Sequence, residues 1–172
     1  MAITAGAQPA PPAGAGDYAA ATGGPARAES TAGALVVCAG GVAPADCELN
    51  RERVRRALRQ LRLDGGFGGN WWRYVVVDEA GWRQTLRQFG VERHVPAFTA
   101  LPVRTTYLNL ALLSTDGRVD EALQPFGDRA VILERVLAHE AGHVLCRTHR
   151  ESLAENAGAR LRYGSGRSLN CR

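Results

Sequence analysis

No lysine occurs among the 172 residues, so all 21 strongly basic side chains are arginine. A skew of that kind is read as GC-rich codon usage, hence a bacterial gene, before it is read as chemistry. No stretch approaches the roughly 20 apolar residues that a membrane-spanning helix requires. No CxxC pair is present, which sets aside a structural zinc ribbon. Large apolar residues are almost missing from the first thirty positions, which hold eleven Ala, five Gly and four Pro. Such a segment cannot bury enough surface to offset its ordering entropy. Residues 1–32 are therefore expected to be a disordered leader or linker, with residues 33–172 as one domain. Roughly 140 residues suffice for a single core.

The formal net charge is only +4, a weak indication about partners. Arg51, Arg53, Arg55, Arg56, Arg59 and Arg62 crowd one segment, with Leu49, Val54, Ala57, Leu58 and Leu61 running through it at helical spacing. That pattern is an amphipathic helix with a solvated basic face. No aromatic interleaving or Gly-rich phosphate loop accompanies it, so nucleic acid is not an expected partner. The four cysteines, Cys38, Cys47, Cys146 and Cys171, allow three pairings. The favoured one is Cys38–Cys47, closing a short loop, with Cys146–Cys171 tying down a Gly/Ser-rich tail. Disulfides require an oxidising compartment, so a secreted or periplasmic monomer is expected. Met1 to Ala15 nevertheless has neither the charged n-region nor the apolar h-region of a signal peptide.

Propensity and punctuation give alternating elements. Ala34–Val37 reads as a strand and Glu48–Leu63 as a helix. Trp71–Val77 is a second strand, dense in aromatic and β-branched residues. Its paired Trp71 and Trp72 point to opposite faces, so at least one belongs to the core. Asp78 caps a helix that runs to Phe89 and stops at Gly90. Val103–Leu112 alternates like a strand with one wet face. Helices follow over Asp128–Arg147 and Glu151–Leu161. The order β-α-β-α-β-α-α describes a small α+β domain with a three- or four-stranded sheet packed on helices.

The chemistry lies in His139-Glu140-Ala141-Gly142-His143, at the end of the apolar run Ala130–Ala138. Histidines four apart share one helix face and can grip one metal ion. Glu140 between them can lean towards a water bound to that ion. The frame Val136-Leu137-Ala138 before the motif and Val144-Leu145 after it is uncharged, as a helix buried on most sides requires. In this the chain resembles the zincin metallopeptidases, whose active-site helix carries HExxH. The resemblance covers residues 130–150 and the strand-before-helix order upstream. It implies a zincin-like domain, one Zn2+ per chain and a peptide or protein substrate. The implied activity is a metalloendopeptidase using zinc-activated water, with Glu140 as general base. A non-catalytic zincin-like domain for metal binding or partner recognition is the alternative.

The third ligand is open. His149 comes six residues after His143, similar to the metzincin branch HExxHxxGxxH. The turn glycine of that branch is Cys146 here, and no methionine follows Met1 to form its Met-turn. Glu151 and Glu155 are the competing ligands, on a segment similar to the Glu-bearing second helix of gluzincins. By the same resemblance, the strand with Thr105, Thr106, Tyr107, Leu108 and Asn109 is the cleft edge, with Tyr107 and Asn109 as substrate contacts. Tyr107, Tyr163 and Arg104 are candidates for oxyanion stabilisation.

Overall fold

The computed structural model describes residues 33–68, 70–91, 95–113, 129–164 and 171. The expected leader, residues 1–32, lies outside them. Strands β1 (Ala34–Ala39) and β2 (Trp72–Val77) pair in parallel, Val36 opposite Tyr74 and Cys38 opposite Val76. Parallel neighbours need a crossover, and helix α1 (Pro44–Gln60) supplies it. Helix α2 (Glu79–Phe89) comes after β2, capped by the Asp78 carboxylate, which accepts from Gly81 N–H at 2.8 Å. The chain then forms a short strand β3 (Ala97–Ala100), a 3-10 turn (Leu101–Val103) and strand β4 (Thr105–Asn109). β4 runs parallel to β2 and antiparallel to β3, so the sheet order is β1-β2-β4-β3.

Helix α3 (Leu110–Leu113) and the two long helices α4 (Arg129–Cys146) and α5 (Glu151–Tyr163) complete the described elements. The result is an α+β domain on a four-stranded mixed sheet. One sheet face contributes Val36, Tyr74, Val76 and Leu108 to a core shared with Val54 and Leu58 of α1 and Leu137, Ala138 and Ala141 of α4. The other face carries Val75 and Val77 against Trp82 and Leu86 of α2. Phe98 and Tyr107 extend that second cluster, their rings stacked at 5.0 Å. No described helix is long and apolar enough to cross a membrane.

Several element boundaries differ from those read in the sequence. Helix α1 begins at Pro44 rather than Glu48 because a first-turn proline has no intrahelical N–H to lose and its φ is preset. The expected strand Val103–Leu112 is only Thr105–Asn109. Arg104 at φ 49° separates it from the 3-10 turn, and Leu110 already begins α3. Its alternation holds in part, since Thr106 and Leu108 on one face are buried, while on the other Thr105 is buried and Tyr107 and Asn109 are half-buried. The edge strand β3 was hidden between Pro96 and Pro102, too short for its period to show.

Trp72 is core at 5% exposure, while Trp71 is 47% exposed. The basic side of α1 is a solvated run of ion pairs, Glu48 with Arg51 at 3.0 Å and Glu52 with Arg59 at 2.7 Å. Both favoured disulfides are formed. Cys38 at the end of β1 joins Cys47 in the first turns of α1, and Cys146 at the end of α4 joins Cys171. Such bonds belong to an oxidising compartment.

Candidate metal centre

Helix α4 carries both histidines on one face, and the turn and helix after it bring the remaining donors. The helix ends in a Schellman turn, with Arg147 in the left-handed region at φ 46°. Thr148 N–H bonds back to His143 O at 3.1 Å and Arg147 N–H to Val144 O at 3.2 Å. The left-handed residue is thus Arg147, one position beyond the Cys146 that stands at the metzincin glycine. This turn reverses the chain directly into α5. The two helices then pack with their backbones nearly touching. A Cβ on Gly158 would lie 2.8 Å from the carbonyl of Ala138, and one on Gly142 would overlap the carbonyl of Ala154. Glu151 and Glu155, one turn apart at the start of α5, are thereby held over the histidines.

Three donor atoms converge, and they belong to His139, His143 and Glu151, all within 4.8 Å of one another. His139 Nε2 lies 3.0 Å from Glu151 Oε2 and 3.2 Å from His143 Nε2, which is 3.7 Å from Glu151 Oε1. Ligands about 2.0–2.1 Å from a tetrahedral metal stand about 3.3–3.4 Å apart, so the triangle has the dimensions of a coordination face. The tautomers agree. His143 Nδ1 donates to the Thr148 carbonyl at 2.8 Å, and His139 Nδ1 donates to Glu155 Oε2 at 3.0 Å. In the neutral rings both Nε2 atoms therefore carry lone pairs aimed at one point, together with a carboxylate. The group can hold a metal ion.

At His143 the electrostatics favour the neutral ring. Burial depresses the His143 pKa, partly offset by its bond to Thr148 and by Glu151. Ligation requires that neutral form. The His139 hydrogen bond, with help from Arg135, holds the Glu155 carboxyl below its ordinary pKa. Arg135 reaches Glu155 Oε1 at 3.1 Å, so Arg135, Glu155 and His139 form an outer chain that orients one ligand.

Glu140 lies on the inner side of the same helix turn, 5% exposed. Burial raises its pKa to about 7, while a hydrogen bond from the Thr99 side chain and the neighbouring His139 pull it down. Its Oε2 is buried with no hydrogen-bond partner among the described residues.

One cavity of about 640 Å³ contains Glu140, His139, His143, Glu151 and Glu155, and β3 forms its opposite wall. His149 lines this cavity but is exposed and is not one of the three converging donors. The other expected contacts lie elsewhere. Tyr107 stacks on Phe98 on the far sheet face, and Asn109 bonds Glu79 at 3.3 Å and caps Ala111 N–H at 2.9 Å. Arg104 and Tyr163 do not line the cavity. Strand β4 cannot be a cleft edge, because β2 and β3 occupy its backbone on both sides. The edge beside the metal donors is β3.

Several contributors carry no signal in the sequence. Thr148 acts through a backbone carbonyl, which no residue type announces. Thr99 sits in the four-residue strand between prolines. Arg135 was within reach, four residues before His139 on one helix face. Comparison with family models, with curated proteins and with solved structures gave no match.

Proposed function

We propose that the protein is an exported zinc-dependent metallopeptidase, with His139, His143 and Glu151 as metal ligands and Glu140 as general base. The observation that carries this reading is the pairing of two features in one cavity. Three lone-pair donors meet at coordination distances, and a buried carboxylate beside them keeps one oxygen without a protein partner among the described residues. Metal binding alone has no use for that fourth group. Two imidazoles and one carboxylate are a donor set that suits zinc and leaves a coordination position open.

Zinc at this site would supply Lewis acidity, lowering the pKa of a bound water from about 15.7 towards ~7. The protein's own part is set by the geometry. Glu140 takes a proton from the attacking water and returns it to the leaving amine, and a pKa near neutrality suits both transfers. Burial excludes competing water from that carboxylate. The outer edge of β3 offers backbone N–H and C=O groups to an extended peptide lying across the cavity, in the manner of strand addition. The two disulfides suit an extracellular or periplasmic site of action.

The test is metal analysis beside hydrolysis of a quenched fluorogenic peptide library. Wild type is expected to hold about one zinc per chain and to cleave. Glu140→Gln is expected to keep the zinc and lose cleavage by at least about a hundredfold. Zinc retained without any cleavage by wild type would favour the non-catalytic binding domain, and metal-free protein from zinc-replete medium would overturn both.

A further inference from the structure

The cavity that holds the metal donors has two unlike walls. Every charged or imidazole side chain lining it comes from α4, the turn after it or α5. The facing wall is built by the end of α2, by β3 and by the chain leading into β3, and it is uncharged among the described residues. Phe89, Val91, Val95 and Phe98 form its apolar end, each half-buried. Their rings are braced from behind. Phe89 lies 5.3 Å from both Phe98 and Tyr107, and Trp82 lies 5.7 Å from Phe98. A wall fixed in this way is preformed for a ligand.

The register of β3 decides what that wall would meet. Asn109 N–H donates to the Pro96 carbonyl at 3.0 Å, and Phe98 stands opposite Tyr107 in the same ladder. Backbone groups of an antiparallel pair alternate between the neighbour and the open side. Phe98 and Ala100 therefore turn their N–H and C=O groups to β4, and Ala97 and Thr99 turn theirs to the outer edge. Among the described residues no strand lies beyond that edge. Side chains alternate as well. Ala97 and Thr99 face α4, where Thr99 Oγ1 lies 3.5 Å from the Glu140 carbonyl, while Phe98 packs into the aromatic group on the α2 side.

Residues directly opposite each other on paired strands share a face. In a peptide paired with the β3 edge, the residue opposite Thr99 therefore points to the metal helix. Its neighbour in sequence, opposite Phe98, points to Phe89, Val91 and Phe98. The cavity reaches both sides of the strand, since Thr99 and Phe98 both line it. Resting on the peptidase reading, we propose that Phe89, Val91 and Phe98 form a substrate subsite across β3 from the metal. It selects extended peptides with a large apolar residue next to the one that faces α4. A charged side chain at that position would leave water for a wall that offers it no partner among the described residues.

Two measurements test the subsite. The first uses zinc-loaded Glu140→Gln, which is expected to bind peptide without cutting it. Dye-labelled Ala/Thr hexapeptides carry one guest residue, Phe, Leu, Ser or Asp. Fluorescence anisotropy is expected to rank the Phe and Leu peptides at least about tenfold tighter than the Ser and Asp peptides, as burial of one such side chain implies. Equal affinity for the Phe and Asp peptides overturns the subsite. The second measurement compares cleavage profiles of wild type and Val91→Asp on the fluorogenic peptide library. Wild type is expected to prefer a large apolar residue at one position by about tenfold to a hundredfold in kcat/KM. Val91→Asp, with zinc content unchanged, is expected to lose that preference and to favour Arg or Lys at the same position. An unchanged profile in folded Val91→Asp overturns the proposal. If that variant does not fold, the first measurement decides, because it leaves the wall unaltered. Selective binding of the Phe peptide with no cleavage by wild type would remove the peptidase reading and keep the subsite. Cleavage without an apolar preference at any position would do the reverse.

Discussion

Gly142 and Ala154 meet backbone to backbone: a Cβ built on Gly142 would overlap the Ala154 carbonyl oxygen and lie 2.8 Å from its Cα. Gly142 is a variable position of the HExxH motif, yet here it sets how closely α5 approaches the ligand helix. That approach is what carries Glu151 to within 3.0 Å of His139. Alanine in place of an interior helical glycine ordinarily stabilises by about 1 kcal/mol. Here the sign reverses, because the clash is with backbone that cannot rotate away. Gly142→Ala is expected to destabilise by about 1–3 kcal/mol and to weaken zinc binding although every ligand is intact. Thermal unfolding and metal titration check this, and a more stable variant with unchanged zinc affinity would refute it.

The ligand assignment separates three acidic or imidazole side chains by function. Removing an outer partner such as Glu155 typically costs about 10–100-fold in metal affinity. Glu155→Ala is expected in that range. Glu151→Ala, which removes a direct donor, is expected to lose more than that. His149→Ala is expected to change zinc affinity by no more than a few fold, since His149 is exposed and outside the donor triangle. Competition titration with a chromophoric chelator ranks the three. A ranking led by His149 would return the third ligand to the metzincin-like spacing.

How much of this was legible in the sequence depends on whether the determining feature was local. The HExxH face, the Asp78 cap, the Gly90 stop and the two disulfides are set by spacing and residue type within short segments. The α+β class and a sheet of up to four strands came from the same alternation. The third donor is a different matter. His149 and Glu151 are two residues apart, and which one reaches the histidines depends on where the helix stops and how tightly α5 returns. The stop falls at Arg147, a residue type with no preference for positive φ, and the return depends on Gly142 and Gly158 meeting backbone in another helix. Likewise, Thr105–Asn109 has an alternating pattern, but only pairing partners decide whether a strand is interior. With β3 lost between two prolines, nothing in the sequence showed that β4 had a neighbour on that side.

Glu140 makes the metal-free protein sensitive to pH in a stated direction. Its folded pKa is about 7, while in the unfolded chain it titrates near ~4.3. Below about pH 4 both states hold the proton, and burial of the neutral acid carries no charge penalty. Between those values the unfolded chain releases the proton and the folded protein retains it, so stability falls as pH rises and levels off above about 7. The gap corresponds to roughly 4 kcal/mol. Glu140→Gln has no such titration. In chelator-treated protein, the variant is therefore expected to gain on wild type steadily from about pH 4.5 to about pH 8, as read by denaturant unfolding. A difference that stays constant over that range would contradict the burial of an ionisable carboxyl at this position.

Arg147 offers a test of the turn that builds the site. It stands in the left-handed region without being glycine, a conformation that costs an ordinary residue about 1–2 kcal/mol. Glycine there relieves the steric cost but adds about 0.5–1 kcal/mol of unfolded-chain entropy. Arg147→Gly is therefore expected to be neutral or stabilising by up to about 1 kcal/mol. Both Schellman hydrogen bonds are backbone bonds, as is the acceptor that Thr148 offers His143 Nδ1. The substitution should leave them in place, and zinc affinity should not fall. Arg147→Val is expected to do the opposite, since a β-branched residue is a poor occupant of positive φ. It should lower the melting temperature and, by displacing the Thr148 carbonyl, release His143 from its tautomer and weaken zinc binding. Equal zinc affinity in the glycine and valine variants, with the valine protein folded, would show that the turn does not govern the ligand.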